Sequence, residues 1–158
     1  MWLISLGHST LSVTLMTLAV SVYLWRRRLR KWALVLILSV FGGMLLNASL
    51  KIVFARPRPY FVNPIVTLPT FSFPSGHTLL ATVFYGTLCV LIFTRARSWK
   101  LRAGAVLITA LMMLLVGFSR IYLGAHYLSD VVAAFAEGLA WIAFCLIAVD
   151  GIARWRKA

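Results

Sequence analysis

Residues 103–130 read AGAVLITALMMLLVGFSRIYLGAHYLSD. The stretch 103–119 carries no charge, and then Arg120, His126 and Asp130 follow within a short span. An apolar run of this kind approaches the ~20 residues that cross ~30 Å of hydrocarbon as a helix. One such run could be the buried helix of a soluble protein, so the rest of the chain decides. Similar runs recur at roughly 2–25, 32–50, 76–94 and 127–149, in a chain that is 62% hydrophobic and 12% charged. Soluble domains carry about 25% charged residues. None of the runs alternates polar and apolar residues as barrel strands do. The expected fold is therefore an all-α polytopic membrane helix bundle, a single domain over 1–158 with five transmembrane helices, the first a retained span rather than a signal peptide.

The charges sort by side. RRRLRK (26–31), RARSWKLR (95–102) and RWRK (154–157) hold twelve of the sixteen Lys and Arg. All twelve fall on one face if the helices alternate in direction, and the positive-inside rule makes that face cytoplasmic. A net charge of +13 is thus a topology signal, and no groove or strand motif accompanies it to suggest nucleic acid. Lys51, Arg56, Arg58 and Arg120 are left on the opposite face. Topology does not account for them, whereas a small multiply charged anion such as phosphate does. Cys89 and Cys145 lie in separate apolar runs and read as packing residues, not as a disulfide or metal ligands.

All five prolines lie in KIVFARPRPYFVNPIVTLPTFSFPS, 51–75. Proline fixes φ and stops helices, so this segment reads as an ordered loop with stiff turns. Arg58 then sits on constrained backbone, and Lys51 can extend toward the same region. Pro74-Ser75-Gly76-His77 opens the third helix. A helix start with unpaired amides, a glycine that permits close approach and a serine hydroxyl receives phosphate readily, with His77 beside it. In the third segment His126 and Asp130 are four residues apart. On one helix face the carboxylate can accept from one imidazole nitrogen and leave the other as a nucleophile.

Lys51-x6-Arg58-Pro59, Pro74-Ser75-Gly76-His77 and Ser119-Arg120-x5-His126-x3-Asp130 together resemble the three-part signature of the type 2 phosphatidic acid phosphatase and vanadium haloperoxidase superfamily. The resemblance covers about 51–130 and implies that His126 is the nucleophile, forming a phosphohistidine, with Asp130 orienting it. It implies that His77 is the general acid. Lys51, Arg58, Arg120, Ser75 and the Gly76 amide would bind the phosphate, with no metal and no cofactor. Arg56 lacks the family spacing and reads as an auxiliary headgroup contact or interface anchor. Glu137 has no motif role and reads as a buried hydrogen-bond partner or a protonated packing residue; His8 reads as interfacial. Membrane-bound relatives typically have six helices, so the N-terminal one is expected to be the absent span, compensated by a homo-oligomer or a wider lateral opening.

The expected activity is hydrolysis of a lipid phosphate or diphosphate at the non-cytoplasmic face of a plasma (inner) membrane. Undecaprenyl diphosphate, phosphatidylglycerophosphate and phosphatidate are the candidates, undecaprenyl diphosphate first. Transfer of the phosphoryl group to a lipid or sugar acceptor is the nearest rival, and a non-catalytic protein that binds anionic headgroups is another. Haloperoxidase activity is disfavoured, because those relatives are larger and soluble.

Overall fold

The computed structural model describes residues 7–60 and 68–155. Five helices span most of this length: α1 (Thr10–Arg26), α2 (Arg30–Phe54), α3 (Gly76–Arg95), α4 (Trp99–Tyr122) and α5 (Leu128–Trp155). Helices α2 to α5 are long and apolar enough to cross a bilayer. The shorter α1 has 17 residues, about 25 Å at 1.5 Å per residue. Of the run expected to form it, residues 2–6 lie outside the described part. Ser9 starts α1 by accepting from Ser12 N at 3.2 Å, a side-chain cap for an otherwise unpaired amide.

The helices overrun their apolar stretches at both kinds of end. Helix α2 continues past residue 50 to Phe54, so the loop expected at 51–75 begins at Ala55, whose φ of 42° ends the helix. Helix α4 runs from Trp99 to Tyr122 rather than 103–119, which makes Arg120 part of its last turn. Backbone hydrogen bonding is the reason: at the edge of the hydrocarbon a polar side chain can reach headgroups or other side chains while its amide stays in the helix.

Helix α3 is the axis of the bundle and packs against the other four. Leu79, Leu80, Val83 and Phe84 from α3 meet Val13 of α1, Leu36 and Val40 of α2 and Ala134 and Ile142 of α5. Close approach of α5 depends on Gly138, where an added Cβ would lie 2.6 Å from Thr82 Cγ2 and 2.8 Å from its Cβ. Small residues at such crossings let membrane helices pack without a hydrophobic driving force between them. Within α2, one wide π turn (Leu38–Gly42) leaves the Leu38 carbonyl to accept from Trp141 Nε1 of α5 at 3.2 Å. Leu107, Ile108, Leu114 and Ile147 are exposed, as lipid-facing side chains are. Lys31, beside the α1–α2 turn, pairs with Asp150 near the end of α5 at 2.5 Å. The cation-rich segments thus gather at one end of the bundle, and the three motifs at the other.

Candidate active site

The last two turns of α2 supply Asn47 and Lys51, one turn apart on one face. Both border the start of α3: a Cβ on Gly76 would sit 3.4 Å from Asn47 Oδ1 and 4.0 Å from Lys51 Cε. Lys51 Nζ donates to the carbonyls of Phe71 (2.9 Å) and Pro74 (2.6 Å). The returning half of the loop is thereby tied to the helix it left. Ser72 N donates to Arg56 O at 2.8 Å and closes the same segment. Residues 61–67 of the proline-rich loop, Pro64 among them, lie outside the described part.

Arg58 is held at several points. Nε donates to Thr70 O (2.7 Å), Nη2 to Thr70 Oγ1 (2.8 Å) and Phe71 O (3.2 Å), and Nη1 to Ala125 O (2.7 Å). Nη1 also lies 3.3 Å from His126 Nε2. A guanidinium has donors only, so Nε2 is the acceptor and the ring proton resides on Nδ1. That proton faces Asp130 Oδ2 at 3.4 Å.

His126 owes its position to a tight turn after α4. Gly124 adopts φ 66°, a conformation that suits glycine, and Ala125 N returns to Arg120 O at 3.1 Å. Asp130, in the first turn of α5, is fully buried. Its Oδ2 accepts from Tyr127 N (2.9 Å) and from Ser72 Oγ, and its Oδ1 from Arg56 Nη1 (2.8 Å). The Asp130 carbonyl accepts from Ser75 N at 3.1 Å, so the starts of α3 and α5 are joined directly.

Lys51, Arg58, Gly76, His77 and His126 line one cavity of about 240 Å³, together with Thr10, Asn47 and Thr70. Three segments far apart in the sequence therefore converge at one place. Arg120, Ser75 and Asp130 do not line it and stand behind its wall, each at most 1% exposed. Ser75, expected to offer its hydroxyl to phosphate, shares a 2.9 Å hydrogen bond with Thr78 Oγ1. Arg56, read as a headgroup contact, is bound to Asp130 and Ser129. Glu137 accepts from Asn47 Nδ2 at 3.0 Å just beneath the cavity. Asn47, Thr70 and Ser72 went unremarked in the sequence because polar residues in a loop or at a helix end are too common to stand out. Arg56 stood out in the sequence through its own Arg-Pro pair, but nothing local to it indicated that it would pair with Asp130.

Burial holds the His126 imidazole well below the usual histidine range; the cations Arg58, Lys51 and Arg120 push it the same way, and Asp130 opposes them. Burial also lowers Arg58, again against Asp130. His126 is thus a neutral ring with a lone pair on Nε2. Since folding favours the neutral form, its contribution to stability is complete above the unfolded value near ~6.5 and is lost as pH falls toward the folded value. Carbon-13 NMR of histidine-labelled protein, with His126 assigned by its absence in H126Q, should show a neutral ring at pH 6. A midpoint at or above 6.5 would contradict this electrostatic picture.

Residues 32–154 match the PAP2 superfamily. The chain belongs to that family. It is 38% identical to phosphatidylglycerophosphatase B of Bacillus subtilis over 112 residues, which cover 70% of this chain and 55% of that protein. It is 31% identical to an undecaprenyl-diphosphatase of Sulfolobus acidocaldarius over 136 residues, 83% of this chain and 61% of the other. The chain thus spans little more than half the length of these curated relatives. Among solved structures, the transmembrane PAP2 type phosphatidylglycerolphosphate phosphatase from Bacillus subtilis superposes with a TM-score of 0.70 at 27% identity, covering 97% of this chain and 77% of that one. LpxE of Aquifex aeolicus does so with a TM-score of 0.64 at 25% identity, covering 91% and 92%. With four span-length apolar helices, this PAP2 family member is a multi-pass membrane protein.

Proposed function

We propose that this chain removes phosphate from a lipid phosphate or diphosphate at the non-cytoplasmic edge of the plasma membrane, through a phosphohistidine on His126. The observation that carries this reading is the single cavity bordered by His77, His126, Lys51 and Arg58, at the end of the bundle opposite the cation-rich turns. Its charged lining side chains, Lys51 and Arg58, are cations, which suit a phosphoryl group and repel a divalent metal. The names of the relatives support two of the three candidate substrates, phosphatidylglycerophosphate and undecaprenyl diphosphate, and the latter is the first choice.

In the reaction, Nε2 of His126 attacks phosphorus in line with the departing oxygen. As the phosphorus–nitrogen bond forms, the bond from that phosphorus to its bridging oxygen breaks, and the oxygen leaves with the lipid alcohol of a monoester or with the lipid phosphate of a diphosphate. His77 gives a proton to the leaving oxygen, then takes one from the water that hydrolyses the phosphohistidine. Lys51 and Arg58 stabilise the equatorial oxygens of the five-coordinate state, and Arg120 adds positive potential from behind. Asp130 accepts from Nδ1 and steadies the ring as it gains charge. The tail remains in the bilayer throughout.

Purified protein should release inorganic phosphate from at least one of the three lipids. Vanadate, which adopts the five-coordinate geometry, should inhibit this release, and EDTA should leave it unchanged. Activity lost to EDTA and restored by Mg²⁺ would overturn the metal-free scheme. Label passing to an added alcohol in preference to water would point to phosphotransfer instead.

A further inference from the structure

Arg56 takes no part in the steps above, yet it touches Tyr127, Ser129 and Asp130. Nη1 donates to Asp130 Oδ1 at 2.8 Å and to Ser129 Oγ at 2.7 Å. The guanidinium carbon lies 4.2 Å from the centre of the Tyr127 ring, within cation–π range. The Arg56 carbonyl accepts from Ser72 N, and the Ser72 hydroxyl donates to Asp130 Oδ2. The residue thus reaches Asp130 by two routes, directly on one oxygen and through Ser72 on the other.

We propose that Arg56 is a positioning residue for the His126–Asp130 pair, holding the Oδ1 edge of the carboxylate so that Oδ2 stays aimed at His126 Nδ1. The contact between Asp130 and His126 is 3.4 Å long, too long to set the carboxylate's rotation by itself. A carboxylate can turn about its last bond, and one buried without donors on both oxygens is costly. Tyr127 N and Ser72 Oγ anchor Oδ2; Arg56 anchors Oδ1 and brings the compensating charge. Arg56 does not border the cavity, so it acts through Asp130 and not on the substrate. This inference rests on His126 being the nucleophile.

A double-mutant cycle with R56M, D130N and the pair tests it, with phosphoenzyme formation and steady-state kinetics as readouts. R56M should lower kcat about tenfold with KM unchanged, a coupling typical of residues that share an ion pair. In the D130N background the same change should add almost nothing. Losses that multiply in the pair, or a raised KM with kcat intact, would overturn the positioning role and make Arg56 a headgroup contact. If R56M does not yield folded protein by thermal melting in detergent, the cycle is run with R56K. Lysine keeps the charge without the fork, so its smaller loss should also vanish beside D130N, and persistence of that loss would overturn the proposal. A wild type that forms no phosphoenzyme would remove the functional reading and the positioning role with it. A normal wild-type phosphoenzyme with multiplying losses would remove the positioning role alone.

Discussion

Replacing His126 by alanine should abolish the phosphoenzyme and slow turnover by about 10³-fold or more, as removal of a covalent nucleophile does elsewhere. The size of the effect follows from where the ring sits. His126 is 4% exposed, its Nδ1 proton faces Asp130, and its Nε2 borders the cavity beside two cations. No other imidazole shares that arrangement: His8 binds Tyr85 Oη at 2.8 Å, and His77 sits at the start of α3. Lys51, Arg58 and Arg120 are intact in the variant, so it should still bind substrate, and KM should change far less than kcat. Rapid alkaline quench after a lipid diphosphate labelled on its terminal phosphate, followed by digestion at alkaline pH to spare the acid-labile P–N bond, reads the intermediate directly. A labelled peptide that persists in H126A would refute the assignment.

His77→Ala should cost about 10² to 10⁴-fold with a lipid phosphomonoester, the usual range for a lost general acid. The loss should shrink as the leaving group improves. A lipid alkoxide needs a proton as it departs, whereas a nitrophenolate leaves without one. His77 is suited to this role because it follows Gly76 at the start of α3 and shares the cavity with His126. Rates across a series from alkyl to nitrophenyl phosphates measure the dependence. Equal loss across the series would place His77 in binding rather than in proton transfer.

The helical bundle was largely legible because hydrophobic length and charge placement are local properties. Four of the five expected spans appear as helices of spanning length, with their cationic turns gathered at one end. Helix ends were less legible. Lys51 and Arg120 look like loop residues by charge, yet both lie in final helical turns, since a charged side chain at the hydrocarbon edge need not interrupt backbone hydrogen bonding. The three motif segments were legible as a resemblance to a family signature, and Lys51, Arg58, Gly76, His77 and His126 from them border one cavity. Their division into cavity wall and buried support was not, because it depends on pairings such as Ser75 with the Asp130 carbonyl and Arg56 with the carboxylate, 55 and 74 positions apart. Nothing local to Ser72 shows that it will meet Asp130. The approach of Gly138 to Thr82 is hidden for the same reason.

The 3.3 Å contact between Arg58 Nη1 and His126 Nε2 occupies the lone pair that attacks in the proposed reaction. A guanidinium cannot donate there and leave the electrons free, so at rest the nucleophile is sheathed. An incoming oxyanion competes for the same N–H groups, and by drawing them to itself it bares the nitrogen. In that scheme docking and arming are one movement, and an uncharged lipid, unable to draw the N–H groups away, would leave the ring blunted.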